Sequence, residues 1–107
     1  MAEPWLPSRL SSLLRSCRDL ASLSDGRLIH NAISLCGLDH QIFFQNLLLQ
    51  MYGSCRAFDD ARDILNTMAH RNLFTWSFII RAYAEEARTD EAFSLFERMK
   101  TEGIVAP

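Results

Sequence analysis

The residues of this chain that could bind a ligand by specific chemistry are amides, arginines and aromatic rings at helical spacing. They form three series: Phe43, Asn46 and Gln50; Phe74, Ser77 and Arg81; and Ser8, Ser11, Arg15 and Arg18. Steps of three or four residues place side chains on one face of a helix. Rings stack on planar groups and arginines contact an anionic backbone. The series therefore predict a polar to basic stripe with exposed aromatic rings.

Residues for catalysis or metal binding show no comparable arrangement. The histidines and cysteines lack ligand spacing, and they are His30, His40, His70, Cys17, Cys36 and Cys55. A Gly-rich phosphate loop, a nucleophile elbow and a zinc-deaminase motif are also missing. We therefore expect no enzymatic activity, no metal and no cofactor. We interpret the cysteines as small buried thiols of a protein in a reducing compartment.

The composition of the 107 residues is that of an ordinary globular protein, with 49% hydrophobic and 22% charged residues. The longest apolar run, Leu47–Leu49, is far shorter than the roughly 18 residues of a membrane helix, so we expect no membrane contact. The net charge of −2 argues against electrostatic binding of nucleic acid by the chain as a whole. Ten of the eleven basic residues are arginines, which form forked hydrogen bonds and stack on planar groups as lysine cannot.

The elements that must position these side chains are visible as an internal repeat. A shift of 31 positions aligns Tyr52 with Tyr83, Asp59 with Asp90, Ala61 with Ala92, and Met68 with Met99. A shift of 35 positions aligns Leu13 with Leu48, Asp25 with Asp60, Arg27 with Arg62, and Asn31 with Asn66. Because the matches keep their order, we divide the chain into a leader, 1–6, and three units, 7–41, 42–72 and 73–107.

Each unit has the apolar periodicity of two helices. In the third unit this is clearest at Ile79, Ile80, Tyr83 and Ala84, and then at Ala92, Leu95, Phe96 and Met99. Within the first unit, Ser22 and Asp25 have capping-box spacing at the start of the second helix. Helix pairs of this length cannot bury both faces alone. The sequence therefore predicts an all-α fold, an α-solenoid of three stacked helix-turn-helix repeats.

Three repeats are near the minimum for a stable solenoid, whose terminal repeats need polar caps. We expect part of the apolar face around Leu95, Phe96 and Met99 to be uncovered. The sequence therefore predicts marginal stability or self-association.

The units resemble pentatricopeptide repeats. The third unit carries the resemblance at 73–77, 82–83, 90–92, 95–99 and 103–104. The second unit is similar to the short 31-residue variant at 46–52, 60–62 and Met68. The first unit is similar to the long variant at 13–17, 25–30 and 36–38. Long, short and standard units in this order are typical of a plant subclass that alternates these types. The tetratricopeptide repeat is the nearest alternative, but it would need constant spacing and a Pro at the end of each unit.

The resemblance implies a sequence-selective module for single-stranded RNA that reads one nucleotide per repeat. In this family a polar residue early in the first helix and the last residue of the repeat read the base edge, and a neighbouring residue packs on the base face. Asn46, Asn72 and Phe43 occupy these positions in the second unit. An Asn–Asn pair is similar to the family's pyrimidine-reading combination, with a preference for cytosine.

The other two units match this pattern less well. In the third unit the corresponding residues are Ser77, Pro107 and Phe74, and Pro107 has no side-chain donor or acceptor. In the first unit they are Ser11, Gln41 and Ser8, and long units read bases poorly in this family. We expect Gln50, Arg15, Arg18 and Arg81 to complete the RNA-binding surface.

The family is mostly mitochondrial or plastid, and residues 1–18 combine four serines and three arginines with one acidic residue, as in an organelle-targeting segment. The resemblance therefore implies processing, editing or stabilisation of organellar transcripts in the mitochondrion or chloroplast, with other RNA-processing proteins as further partners. Editing chemistry in the plant subclass lies in a C-terminal extension, so we expect none here. Two alternatives stay open: a tetratricopeptide-like scaffold that binds a protein helix, and a truncated array without its own ligand.

Overall fold

The computed structural model of the protein describes residues 6–104, which form six α-helices and no β-strand. The helices are α1 (Leu6–Leu20), α2 (Leu23–Leu35), α3 (Ile42–Ser54), α4 (Phe58–Thr67), α5 (Leu73–Glu85) and α6 (Thr89–Thr101). They follow one another as three helix pairs, which confirms the predicted all-α helical repeat. α1 begins at Leu6, the last residue of the predicted leader, and the residue boundaries of the three units stay a prediction.

The helix pairs stack in two layers. The first helices, α1, α3 and α5, pack side by side in one row, and each second helix packs on the first helix of its pair. Long polar side chains connect the second helices to one another: Arg27 to Asp60, Arg62 to Glu91, and Arg98 to Asn66. Since the first helices are the more closely packed row, they form the inner side of a solenoid that measures 44 × 27 × 21 Å.

All six helices contribute to one continuous hydrophobic core. Its largest fully buried side chains include Leu14, Ile33, Phe44, Leu48, Leu65, Trp76 and Tyr83. The prediction of an uncovered apolar face on α6 was wrong for two residues, because Leu95 and Met99 are only 4% and 3% exposed. α5 covers them, and the large exposed side chain of α6 is Phe93, at 66%.

The three helix pairs share one type of turn. Ala21, Arg56 and Ala87 lie between the two helices of each pair and have φ of 51°, 60° and 57°. Their spacing is 35 and then 31 residues, the two shifts at which the sequence matches itself. After each of them, a backbone N–H bonds the carbonyl oxygen five residues earlier at 2.9 Å, which closes the first helix by a Schellman motif. The left-handed conformation normally favours glycine, so each turn carries strain.

The capping box predicted at Ser22 does not form. Ser22 is the N-cap of α2, but its side chain makes no cap hydrogen bond and its hydroxyl donates to Oδ2 of Asp25 at 2.9 Å. Within residues 6–104 a capping box forms at the start of α5. There Asn72 Oδ1 accepts from the Thr75 backbone N–H, and Thr75 Oγ1 accepts from the Asn72 backbone N–H, both at 3.1 Å.

Candidate nucleic-acid interface

Five of the nine predicted site residues meet around one cleft on the inner row of helices. The cleft has a volume of about 280 Å³ and is lined by Arg15, Phe43, Asn46, Leu47, Gln50, Phe74 and Phe78. We call it the ring cleft. Its lining comes from α1, α3 and α5, since helical steps of three or four turn these residues to the same side of adjacent helices.

Two phenylalanine rings are available at the ring cleft. Phe43 is 49% exposed and Phe74 is 65% exposed. Phe43 meets the buried Phe44 edge-on, with ring centroids 5.2 Å apart, and the Arg15 guanidinium lies 5.7 Å from the Phe43 centroid. Phe74 lies beside Phe78, with a centroid separation of 6.3 Å. Neighbouring side chains thus support both rings while leaving part of their surface open for stacking.

Asn46 and Asn72 are in direct contact, although 26 residues separate them in sequence. Asn46 Nδ2 donates to Asn72 Oδ1 at 3.2 Å. Thr75 Oγ1 lies 2.6 Å from Asn46 Oδ1 and 3.0 Å from Asn72 Oδ1. We call these three residues the amide cluster. It joins α3 to the start of α5 at one edge of the ring cleft, where Asn46 also forms part of the lining.

A second cleft, of about 250 Å³, adjoins the ring cleft and has two guanidinium groups in its lining. Arg18, Gln50, Phe78 and Arg81 are among its lining residues, and Gln50 and Phe78 also line the ring cleft. Arg18 donates to Gln50 Oε1 at 3.0 Å and pairs with Asp19 at 2.9 Å. We call this the arginine cleft. Glu85 is the acidic side chain of its lining, and Asp19 lies beside it as the ion-pair partner of Arg18.

The remaining predicted residues are placed less favourably. Ser77 is exposed on α5 but lines neither the ring cleft nor the arginine cleft. Pro107 lies outside the described residues. Ser11 is 5% exposed and donates to the Ser8 carbonyl oxygen at 2.9 Å, so the predicted stripe is interrupted on α1. Because the Ser11 hydroxyl is buried, the polar side chains of α1 that line the two clefts are Arg15 and Arg18.

The sequence analysis did not predict two residues of the clefts and the amide cluster, Phe78 and Thr75. Phe78 lines both clefts, and its position four residues after Phe74 could have indicated this. Thr75 is fully buried in the amide cluster. Its position three residues after Asn72 is capping-box spacing, but nothing in the sequence indicates its contact with Asn46.

A titratable pair lies between α2 and α3, where Nδ1 of the half-buried His30 and Oη of the buried Tyr52 are 2.6 Å apart. Burial lowers the pKa of His30 below 6.5 and raises the pKa of Tyr52 to about 12. Within residues 6–104 no three His, Cys, Asp or Glu side chains come together as metal ligands. Of the cysteines, Cys17 is buried but Cys36 is exposed, so the interpretation of all three as buried thiols was wrong.

No helix between residues 6 and 104 has the length and hydropathy to cross a bilayer. What these residues form is an α-solenoid with a groove along its inner row of helices, which is the architecture of a helical repeat protein. Residues 74–104 match the family model described as PPR repeat. Together with the relatives that follow, this match places the chain in the pentatricopeptide repeat family.

Three pentatricopeptide repeat-containing proteins of Arabidopsis thaliana are similar to most of the chain. One is 40% identical over 93 residues, or 87% of this chain and 10% of the relative. One named as chloroplastic is 37% identical over 89% of this chain and 13% of its own length. One named as mitochondrial is 38% identical over 90% of this chain and 9% of its own length. The chain thus spans about a tenth of the length of these relatives.

Proposed function

We propose that this chain binds single-stranded RNA in the groove of α1, α3 and α5 and reads one pyrimidine through Asn46 and Asn72. The observation that carries the proposal is the contact of the two amides, at 3.2 Å, beside a cleft with two exposed rings. Pentatricopeptide repeat proteins are generally RNA-binding proteins of organelles, which supports the same ligand.

A base enters the ring cleft and stacks on Phe43 or Phe74. Stacking on an aromatic side chain is worth about 1 to 3 kcal/mol per base and depends little on the sequence, because every base has a π-face. The base edge then meets Asn46 and Asn72. An amide can both donate and accept hydrogen bonds, so the pair can match a pyrimidine edge, with the preference for cytosine that the family resemblance implies.

The RNA backbone continues from the ring cleft into the arginine cleft. Gln50 and Phe78 border both clefts, so a nucleotide whose base lies in the first can place a phosphate in the second. Arg18 and Arg81 then neutralise phosphate charge, and Arg15 adds a cation beside Phe43. Binding that releases counterions weakens as the salt concentration rises. With one complete reading pair, we expect a dissociation constant of roughly micromolar or weaker.

The biological role proposed with this activity is processing, editing or stabilisation of organellar transcripts. Relatives named as chloroplastic and mitochondrial support an organellar location. Reading of one base by Asn46 and Asn72 would suit a module that selects a transcript. The chemistry on that transcript would belong to other RNA-processing proteins.

Two substitutions separate base reading from stacking. We expect Asn46→Ala to reduce discrimination between pyrimidine and purine at one RNA position by about 1 kcal/mol, the net value of a hydrogen bond. Phe43→Ala should instead weaken binding to all RNAs, because stacking is tolerant of sequence. The measurement is fluorescence anisotropy with four single-stranded RNAs that differ only at one central base. If Asn46→Ala lowers the melting temperature and leaves the preference unchanged, Asn46 has only a packing role.

A further inference from the structure

We infer that Thr75 is a positioning residue for base reading, because its backbone N–H fixes the direction in which the amide of Asn72 faces and its hydroxyl fixes that of Asn46. The inference rests on the proposed function, since it concerns how the reading pair becomes selective. Thr75 is fully buried and does not line the ring cleft. It therefore acts through Asn46 and Asn72 and not by contact with the RNA.

Two backbone donors determine the orientation of Asn72 and the acceptor side of Thr75. The Thr75 backbone N–H donates to Asn72 Oδ1, and the Asn72 backbone N–H donates to Thr75 Oγ1, both at 3.1 Å. A backbone N–H can only donate. Asn72 must therefore turn its oxygen toward α5, and the Thr75 hydroxyl must keep a lone pair for the Asn72 backbone.

The single hydroxyl proton of Thr75 then orients Asn46. Of the two acceptors near Oγ1, Asn46 Oδ1 is the closer, at 2.6 Å against 3.0 Å for Asn72 Oδ1. Asn46 thus turns its oxygen to Thr75 and its Nδ2 to Asn72 Oδ1, 3.2 Å away. In the flipped orientation the hydrogen bond from Asn46 to Asn72 Oδ1 would be lost, and so would the bond from the Thr75 hydroxyl to Asn46 Oδ1.

The result is a fixed pattern of donors and acceptors. Asn72 Oδ1 is occupied by the cluster, so the amino group is the part of Asn72 that can bind a ligand, as a donor. Asn46 keeps one N–H and one lone pair for a ligand. An amide free to flip could satisfy either a donor or an acceptor on the base and would discriminate less between bases. Because Thr75 belongs to α5 and Asn46 to α3, the pattern also depends on correct stacking of two helix pairs.

The test compares Thr75→Val, Thr75→Ser and wild-type protein in binding to four single-stranded RNAs that differ at one central base. Val keeps the shape of Thr without the hydroxyl, and Ser keeps the hydroxyl. We expect Thr75→Val to reduce the ratio between the preferred and the least preferred base by roughly fivefold, the equivalent of one net hydrogen bond. Thr75→Ser should restore the ratio. Thr101→Val is the matched control, since it removes a hydroxyl that bonds only the Glu97 carbonyl oxygen in α6.

All variants are compared at a temperature at which circular dichroism shows each to be folded, so that lost stability does not imitate lost selectivity. If Thr75→Val melts at a lower temperature but keeps the base preference of wild type, the inference is wrong and the proposed function stands. If wild-type protein binds the four RNAs equally or not at all, the proposed function fails first. A lowered ratio in Thr101→Val as large as that in Thr75→Val would also overturn the inference.

Discussion

At the scale of single residues, the observed and the proposed roles of the Asn72 side chain can be separated by substitution. Its oxygen caps α5 and accepts from Asn46, and in the proposed function its amino group donates to a base. Aspartate keeps the accepting oxygen and replaces the donor with a second acceptor. The capping function and the reading function therefore respond differently to the same change.

We expect Asn72→Asp to keep or raise the melting temperature and to change the base preference. Asp is as good an N-cap as Asn, and a negative charge at a helix N-terminus is worth about 0.3 to 1 kcal/mol. Selectivity should move by several-fold from a base that presents an acceptor toward one that presents a donor, such as uracil through N3–H. Calorimetry and anisotropy measure the two effects.

The control is Asn72→Ala, which removes both functions and should cost about 1 kcal/mol of stability through loss of the cap. An Asn72→Asp protein that prefers the same base as wild type would show that the amino group of Asn72 does not contact RNA.

At the scale of helices and turns, replacement of alanine by glycine should have opposite effects in the left-handed turns and in the interior of a helix. We expect Ala21→Gly and Ala87→Gly each to raise the free energy of unfolding by about 0.5 to 1 kcal/mol. Relief of the left-handed strain outweighs the extra entropy of glycine in the unfolded chain. Ala32→Gly, in the interior of α2, should lower it by about 1 kcal/mol. Urea denaturation measures all three, and destabilisation by Ala21→Gly and Ala87→Gly would contradict the turn geometry.

The contact between α2 and α3 predicts a pH dependence of stability. Burial lowers the pKa of His30 below 6.5, although Asp39 and Asp60 oppose the shift. The unfolded chain therefore takes up this proton at a higher pH than the folded chain does. The His30 contribution to stability is complete above about pH 6.5 and decreases as the pH falls toward the lowered pKa. Gln does not titrate. In His30→Gln, urea denaturation should therefore show a smaller loss of unfolding free energy between neutral pH and the onset of carboxylate protonation. Equal losses in both proteins would rule out His30 as the cause.

The sequence predicted the helical elements well, because apolar periodicity and self-similarity are local or repeat at a fixed spacing. It also identified Phe43, Asn46 and Phe74 at the ring cleft, since their spacing on one helix face can be read directly. It did not predict the contact of Thr75 with Asn46, which joins residues 29 positions apart on different helix pairs. The wrong prediction that Leu95 and Met99 of α6 are uncovered has the same origin. The rotation of α6 against α5 decides whether Leu95 or Phe93 is covered, and that rotation depends on contacts between the two helices.

At the scale of the whole molecule, large apolar side chains remain exposed at both ends of the solenoid. Leu28 and Leu35 of α2 are 68% and 81% exposed, and Phe93 of α6 is 66% exposed. Leu28 also lines a cavity of about 240 Å³ together with Leu13 and Leu20. Exposed apolar clusters of this kind favour association.

We expect the average mass of the 107-residue chain to rise with protein concentration in light scattering. Leu28→Glu with Leu35→Glu should reduce the rise, because charges oppose burial of that surface. Asn31→Asp, a change at an exposed polar residue of the same helix, is the control for added negative charge. A wild-type chain that stays monomeric at every concentration measured would contradict the prediction.

RNA binding in the groove is tested most directly by NMR titration of the isotope-labelled chain with a short pyrimidine-rich single-stranded RNA. We predict saturable shifts of the side-chain amide signals of Asn46 and Asn72 and of the ring signals of Phe43 and Phe74. The side-chain amides of Asn31 and Asn66, on the second helices, should not move. Shifts confined to the second helices, or no shifts at RNA concentrations well above the micromolar range, would contradict RNA binding by the inner row of helices.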